Sequence, residues 1–235
     1  MASSAPSARQ VLKAAAAAVA PSRDHYHHGD LPAALKRAAL TLIGKHGAEG
    51  FSLRQAAIVV GVSPSAAYRH FEDKSALLGA IAADGFVELA QRFDEAMRSV
   101  RGRGARAAQA RFLAQGRAYV AFALEQPERF SVMFGPYDAG LPCVDPLAQS
   151  SAHDGPYGAL SGILDELLAT GVISPQRRAG AELLVWSAIH GLATLLTRRV
   201  IAVPPEGVDA MVQRIGMDCL RALATPTSGR RRAAQ

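Results

Sequence analysis

The feature that most restricts the fold is a pair of short helix signals separated by one glycine, between residues 52 and 71. The run Ser52-Leu53-Arg54-Gln55 is a capping box, in which the serine and glutamine side chains satisfy free backbone amides at the start of a helix. Gly61 ends that helix, and Ser63 followed by Pro64 starts the next one. Two short helices joined by a tight glycine-containing turn form a helix-turn-helix.

The predicted helix-turn-helix requires small side chains where its two helices cross. Ala56 and Ala57 on the first helix and Ala67 on the second meet this requirement, and Phe71 shares the inward face of Ala67. The residues left on the outer faces form a surface from which a DNA duplex can be read, and they are Ser65, Ala66, Tyr68, Arg69 and His70. Spacing alone also allows a plain helical hairpin with a solvated face.

Longer helices are predicted on both sides of this motif. Apolar residues over 31–43 repeat with the spacing of an amphipathic helix, which Asp30 caps and Gly47 ends. After the motif, Asp73 opens a long helix whose apolar positions continue toward residue 97. We therefore expect a three-helix domain followed by a long connecting helix.

The rest of the chain is predicted to be helical as well. Further helices are expected at about residues 107–124, 127–136, 156–170, 175–199 and 205–224, with a glycine- and proline-rich loop over 135–156. No segment alternates at the period of two that is typical of a strand, and aromatic residues make up only 6% of the chain. The predicted fold class is all-α, with an N-terminal helix-turn-helix domain joined by a long helix to a larger helical domain.

Four regions follow from this pattern. Residues 1–24 are predicted to be a disordered tail, 25–85 the DNA-binding domain, 86–224 an effector-binding and dimerisation domain, and 225–235 a disordered basic tail.

The alanine run near the N-terminus imitates a signal peptide, but it lacks leucine and Pro21 follows at once. No apolar run approaches the roughly 20 residues needed to cross a bilayer, and two cysteines give no disulfide framework. A cytoplasmic protein without membrane contact is expected.

Two stretches, 26–31 (Tyr-His-His-Gly-Asp-Leu) and 61–78 (Gly-Val-Ser-Pro-Ser-Ala-Ala-Tyr-Arg-His-Phe-Glu-Asp-Lys-Ser-Ala-Leu-Leu), form a combined pattern. This pattern resembles the N-terminal DNA-binding domain of tetracycline-repressor-like (TetR family) regulators. The resemblance implies a recognition helix from Pro64 to His70, phosphate contacts from Tyr68 and His70, and a backbone contact from Lys74.

The resemblance and side-chain chemistry together indicate which residues contact DNA. Arg54 matches a position that reaches a base or a phosphate. Arg69 is the strongest candidate for base readout, because its guanidinium matches the O6 and N7 acceptors of guanine. The predicted DNA contacts are Arg54, Ser63, Pro64, Ser65, Ala66, Tyr68, Arg69, His70 and Lys74.

A second, shorter resemblance lies near the C-terminus. Trp186, His190 and Gly191 resemble the tryptophan, histidine and glycine signature of one C-terminal domain type in the same family, which implies a homodimer through the helices at about 175–199 and 205–224. The first of these helices is apolar on most of its circumference, so it needs cover both from its own core and from a partner.

The family also implies a pocket for a small apolar or weakly polar effector. Each candidate side chain can equally be an ordinary core residue. The candidates are Phe112, Tyr119, Phe122, Phe130, Met133, Phe134, Trp186 and His190.

Enzymatic, cofactor and metal functions lack their usual motifs. The sequence has no Gly-x-Ser-x-Gly elbow, no phosphate loop and no paired-cysteine metal motif, and no cofactor is predicted. Gly102-x-Gly104-x-x-Ala107 satisfies a loose dinucleotide fingerprint, but no strand precedes it. Weaker interpretations are a Cys143–His153 nucleophile and base, and a metal clamp formed by His25, His27 and His28.

The predicted function is a DNA-binding transcriptional regulator, a homodimeric repressor that an effector releases from a near-palindromic operator. An effector-independent architectural DNA-binding protein is the main alternative, and an enzyme using the C-terminal pocket is a lesser one. Net charge contributes little to this prediction: the chain carries +6, but residues 25–85 hold six basic and five acidic side chains and are only +1. The prediction rests instead on a few side chains at specific positions of the helix-turn-helix.

Overall fold

The structure is a computed structural model that describes residues 30–137 and 155–224. Several sequence predictions lie outside the described residues: both tails, most of the 135–156 loop with Cys143 and His153, and the histidines His25, His27 and His28. The chain divides into two compact units, each described here by itself. Unit 1 is Met1–Ile81 with Pro136–Asp138, and unit 2 is Ala82–Gly135 with Ala139–Gln235.

The described residues form ten helices and no strand, which confirms the all-α prediction. None of these helices is both long enough and apolar enough to cross a membrane. In chain order the helices are α1 (Leu31–His46), α2 (Leu53–Val60), α3 (Pro64–Tyr68), α4 (Lys74–Ser99), α5 (Ala105–Glu125), α6 (Pro127–Met133), α7 (Gly155–Ala169), α8 (Pro175–Arg178), α9 (Ala181–Thr197) and α10 (Pro205–Leu223).

The predicted start of α1 and both predicted ends of α2 are confirmed. The Asp30 carboxylate accepts from the backbone N–H of Ala33 at 3.1 Å, which caps α1. In the capping box, the backbone N–H of Gln55 donates to Ser52 Oγ at 3.2 Å, and that of Ser52 donates to Gln55 Oε1 at 2.7 Å. Gly61 ends α2 with φ 82°, in the left-handed region that glycine adopts without steric penalty.

The core of unit 1 is built around the crossing of α2 and α3. Ala56, Ala57 and Ala67 are fully buried, as predicted for side chains at a close helix crossing, and Phe71 is buried on the same side. Leu77 and Leu78 from the first turns of α4 are also fully buried and complete this core. The helix-turn-helix is therefore held by interior apolar contacts, which leaves its outer face to solvent.

Three predicted helices are wrong in extent. The helix predicted over 127–136 is α6, which ends at Met133, and the backbone N–H of Gly135 then donates to the carbonyl of Val132 and closes a turn. The recognition helix α3 ends at Tyr68 instead of His70, because the backbone N–H groups of both His70 and Phe71 donate to the carbonyl of Ala67 and close a turn there. The predicted 175–199 helix is broken between α8 and α9, where Gly180 has φ 73°.

Side chains on the two sides of the break between α8 and α9 are paired with each other and with α7. The guanidinium of Arg178, at the end of α8, donates to Asp165 at 2.7 Å, to Glu182 at 2.7 Å and to the hydroxyl of Ser161 at 2.9 Å. Glu182 is buried, so this pairing satisfies a carboxylate that would otherwise be stranded in the interior.

Unit 2 is organised around α5, which contacts α7, α9 and α10. Its core joins apolar residues from these four helices, including Phe112, Leu164, Val185 and Leu220. Gly216 lets α10 lie close to α5, because a Cβ there would stand 2.6 Å from Leu113 Cδ2. This close approach shapes the wall of the interior pocket described next.

Candidate DNA-reading face and interior pocket

The predicted DNA contacts of unit 1 lie mainly on an exposed surface. Tyr68 is 52% exposed, although it is a large aromatic side chain. Arg54, Ser63, Ser65, Tyr68, Arg69 and His70 are exposed, whereas Pro64, Ala66 and Lys74 are partly buried. We call the nine residues the reading face.

The two arginines of the reading face form no ion pair with the described part of the chain. Neither Arg54 nor Arg69 forms an ion pair with any described residue, whereas Arg92, Arg111 and Arg178 of unit 2 are each paired with carboxylates. An unpaired guanidinium can bind a phosphate or a guanine edge without first giving up another partner.

Lys74 and Ser63 already have partners within unit 1. Lys74 Nζ donates to the backbone carbonyl of Glu49 at 3.2 Å, and it lies 3.7 Å from the Glu49 carboxylate and 5.2 Å from the ring centre of Phe51. Ser63 Oγ accepts from the backbone N–H of Ala66 at 3.2 Å and caps α3. Lys74 thus ties the start of α4 to the α1–α2 turn, and Ser63 sets the start of α3.

Unit 2 contains an apolar cavity of about 50 Å³. Four of the eight residues predicted for the effector pocket line it: Phe112, Tyr119, Phe134 and Trp186. The remaining wall comes chiefly from apolar side chains, which include Phe86, Leu89, Phe93, Leu113, Leu160, Val185, Ile189, Val212 and Ile215. A cavity of this size has room for a few water molecules, and an organic ligand needs it to widen.

The other four predicted pocket residues lie outside the cavity wall. Phe122, Phe130 and Met133 are buried in the core, and Met133 packs against Gly85. His190 lies behind the wall, where its ring packs against those of Phe130 at 5.4 Å and Phe134 at 4.6 Å between centroids. A stripe of aromatic residues in the sequence does not reveal which members face an empty space and which face each other.

A hydrogen-bonded chain connects two residues of the cavity wall to His190. Tyr119 Oη lies 2.8 Å from His190 Nδ1, and Trp186 Nε1 donates to Tyr119 Oη at 3.3 Å. The Trp186 indole can only donate a hydrogen bond, so the Tyr119 hydroxyl oxygen accepts from it. The Tyr119 hydroxyl then donates its own proton to His190 Nδ1, which has to be unprotonated. Burial lowers the pKa of His190 and raises that of Tyr119, which favours the neutral forms that this chain requires.

Sequence reasoning missed Gln115, a polar residue on the cavity wall. Gln115 is 4% exposed, and its Nε2 has no hydrogen-bond partner among the described residues. It lies three residues after Phe112 and four before Tyr119, so helical spacing on α5 could have placed it on the same face. Cys219 also lines the cavity, and burial raises the pKa of its thiol, which favours the protonated form.

Two family models match the chain, and together they cover more than half of its 235 residues. The model of bacterial regulatory proteins of the tetR family matches residues 35–81, which include the whole reading face. The model of the tetracyclin repressor-like C-terminal domain matches residues 112–217, which include most of the cavity wall. No curated protein gives a significant match.

Solved structures share the fold over most of their length. A protein of unknown function from Rhodococcus sp. RHA1 is 31% identical, and the match covers 86% of this chain and 100% of that one with a TM-score of 0.65. A bacterial regulatory protein in the tetR family from Rhodococcus RHA1 is 18% identical, with coverage of 82% and 96% and a TM-score of 0.59. The TetR family transcriptional regulator PfmR from Thermus thermophilus is 20% identical, with coverage of 81% and 99% and a TM-score of 0.56.

Proposed function

Because this chain belongs to the TetR family of bacterial transcriptional regulators, we propose that it is a homodimeric cytoplasmic repressor, released from a near-palindromic operator by a small apolar or weakly polar effector. The observation that carries the proposal is the combination of two features in separate units of one chain. Unit 1 presents two exposed arginines, which form no ion pair with any described residue, on a helix-turn-helix, and unit 2 encloses an apolar cavity.

DNA recognition is assigned to α3 and the turn that follows it. In the proposed complex, α3 enters the major groove, where Arg69 reads a guanine edge. Tyr68, His70 and Lys74 contact phosphates, and Arg54 contacts a base or a phosphate from α2. Two copies would occupy successive major grooves, with centres about 34–36 Å apart or a related multiple.

Dimerisation is assigned to α9 together with α10. Leu183, Leu184 and Leu195 of α9 are 53%, 43% and 40% exposed, although leucine is usually buried. A Cβ on Gly191, on the same helix, would meet nothing within 4 Å, so a partner helix has room to approach closely there. Exposed apolar side chains beside a small residue are typical of a helix that packs against a second copy.

Coupling between effector and operator is assigned to α4, which contributes to both units. Its first turns bury Leu77 and Leu78 in the core of unit 1, and Phe86 and Phe93 further along line the cavity of unit 2. An effector that widens the cavity has to move these phenylalanines, and we propose that α4 then changes the separation of the two reading faces. Coupling free energies of this kind are typically about 1–3 kcal/mol.

The decisive experiment is selection of bound sequences from a random DNA library, followed by a search for ligands that release the selected operator. We expect an inverted repeat and at least one apolar ligand that weakens binding. Sequence-independent binding with a steep salt dependence would instead support an architectural DNA-binding protein.

The lever role of α4 is tested by pulsed EPR on a Ser65→Cys variant in which the two natural cysteines are replaced. In a dimer, the label at residue 65 reports the distance between the two reading faces. We expect this distance to change when a releasing ligand is added. An unchanged distance and an unchanged width of its distribution would contradict the lever account.

A further inference from the structure

Gln115 is a buried amide without a hydrogen-bond partner in an otherwise apolar cavity. It lies in the middle of α5, it is 4% exposed, and its Nε2 contacts no acceptor among the described residues. Buried donors are almost always paired in native proteins, because an unpaired one loses its hydration and gains nothing in return. Such a donor on a cavity wall indicates that something in the cavity pairs with it.

Two other polar groups of the wall, the Trp186 indole and the Tyr119 hydroxyl, already have hydrogen-bond partners. Trp186 Nε1 donates to Tyr119 Oη, and Tyr119 Oη lies within hydrogen-bond distance of His190 Nδ1. Gln115 therefore supplies the unsatisfied donor on the described wall.

The wall also restricts the charge of the ligand. None of its described residues is a lysine, arginine, aspartate, glutamate or histidine. A carboxylate or an ammonium group would lose its hydration in this cavity without gaining an opposite charge. A neutral ligand avoids that penalty.

From these observations we propose that the cavity binds neutral, mainly apolar molecules with one carbonyl or ether oxygen, which accepts a hydrogen bond from Gln115 Nε2. This assignment rests on the proposed effector pocket and specifies the chemical class of ligand that enters it. Phe86, Phe134 and Tyr157 line the cavity and are only partly buried, so their rotation provides the extra volume that such a molecule requires.

The first test uses the protein without ligand. Gln115→Leu keeps the size of the side chain but removes the unpaired amide, so we expect the melting temperature to rise by about 2–4 °C, against no more than about 1 °C for the exposed control Gln91→Leu. A glutamine with only a structural role would give the opposite result, because its loss would lower the melting temperature.

The second test compares matched ligand pairs that differ only by a carbonyl oxygen and a methylene group. Suitable pairs are cyclohexanone with methylenecyclohexane, acetophenone with α-methylstyrene, and 2-octanone with 2-methyl-1-octene. Binding is measured by the ligand-induced shift in melting temperature and by NMR titration of the Trp186 indole N–H, which belongs to the only tryptophan of the chain and lies on the cavity wall. We expect the carbonyl member to bind about tenfold more tightly to the natural protein and to Q91L, and this preference to disappear in Q115L.

Equal binding within every pair, a preference that survives in Q115L, or no binding of any pair would each overturn the assignment to Gln115. These results are distinct from failure of the proposed function. Release of the operator by a ligand without an acceptor oxygen would overturn the role of Gln115 and leave the effector-controlled repressor intact. Conversely, the carbonyl preference together with an operator complex that no cavity ligand weakens would support the ligand site and contradict its regulatory role.

Discussion

Tyr119 Oη lies 2.8 Å from His190 Nδ1, and this contact joins a cavity-wall residue of α5 to a residue of α9 that does not line the cavity. Of these two residues, only Tyr119 lines the cavity. His190 lies behind Tyr119 and holds the tyrosine hydroxyl in place. Trp186, four residues before His190 on α9, donates to the same hydroxyl. The histidine therefore holds the hydroxyl of one wall residue, Tyr119, although it does not line the cavity itself, and this role can be tested apart from ligand contact.

Replacing His190 tests that orienting role. His190→Phe keeps a ring among Phe130 and Phe134 but removes the acceptor of the buried Tyr119 hydroxyl proton, so the free energy of unfolding should fall by about 1–3 kcal/mol. His190→Asn places an amide oxygen near the former Nδ1 and should recover part of that loss. Urea denaturation of the three proteins measures the difference. Equal stability of H190F and the natural protein would show that the hydrogen bond contributes nothing.

His190 also predicts a pH dependence of stability. Burial lowers its pKa in the folded protein below its ordinary value of 6.5. Between these two pKa values the unfolded chain binds more protons than the folded one, so stability falls as the pH decreases below about 6.5 and is independent of this group well above it. Denaturation at pH 8, 7, 6 and 5 should show a smaller acid loss in H190N, because that side chain does not titrate. Parallel curves for the two proteins would contradict the prediction.

Gly116 offers a way to fill the cavity without strain. A Cβ there would lie 3.5 Å from Val212 Cγ1 and 3.8 Å from Ile189 Cδ1, which is ordinary contact. Gly116→Ala should therefore stabilise α5 by about 1 kcal/mol through helix propensity. It should also weaken binding of cavity ligands, because Gly116 lines the cavity. Gly162→Ala on α7 is the matched control: its Cβ meets nothing within 4 Å, so it should stabilise without affecting ligands. Equal ligand affinity in the two variants would place the ligand elsewhere.

Arg69→Ala tests base readout by the reading face. Loss of a bidentate guanine contact should weaken binding to the selected operator by about 1–3 kcal/mol and relax the preference at one base pair. Arg98→Ala removes an exposed arginine of α4 in unit 2 and should have no effect on base preference. Gel-shift titrations with the operator, with single-base variants and with random DNA measure both effects. An equal loss on operator and random DNA would make Arg69 a phosphate contact.

Leu184→Lys tests the proposed dimer interface on α9. A charge at the centre of an apolar interface should raise the dimer dissociation constant more than tenfold, in line with interface residues that contribute about 2 kcal/mol or more. Val87→Lys is the matched control, since Val87 is a 59% exposed apolar residue on α4. Sedimentation equilibrium of both variants distinguishes them. A natural protein that is monomeric at micromolar concentration would reject the interface altogether.

Local sequence signals predicted most of the helix ends correctly. The Ser52–Gln55 capping box, the Asp30 cap and the left-handed Gly61 each depend on atoms within a few residues of one another, so the sequence contains nearly all of the physics that decides them. The buried alanines of the helix crossing were predictable for the same reason, because only small side chains fit there.

Contacts between distant residues decided what the sequence left open. The break after α8 accompanies the pairing of Arg178 with Asp165, and the early end of α3 accompanies the packing of Phe71 into the core of unit 1. Among the aromatic residues of unit 2, helical spacing does not distinguish those that border a cavity from those that pack against each other. That depends on how several helices of unit 2 pack together, since the cavity wall is built from α4, α5, α7, α9 and α10.

The sequence by itself determined the helical fold class, the helix-turn-helix and the family, because these rest on hydrophobic period, caps and small residues that act locally. Only the tertiary structure showed that Gln115 lines a cavity with an unpaired amide, and that His190 stands behind Tyr119 instead of beside a ligand. The physical reason is that burial and hydrogen-bond satisfaction belong to the packed arrangement of several helices, and no single segment of sequence specifies them.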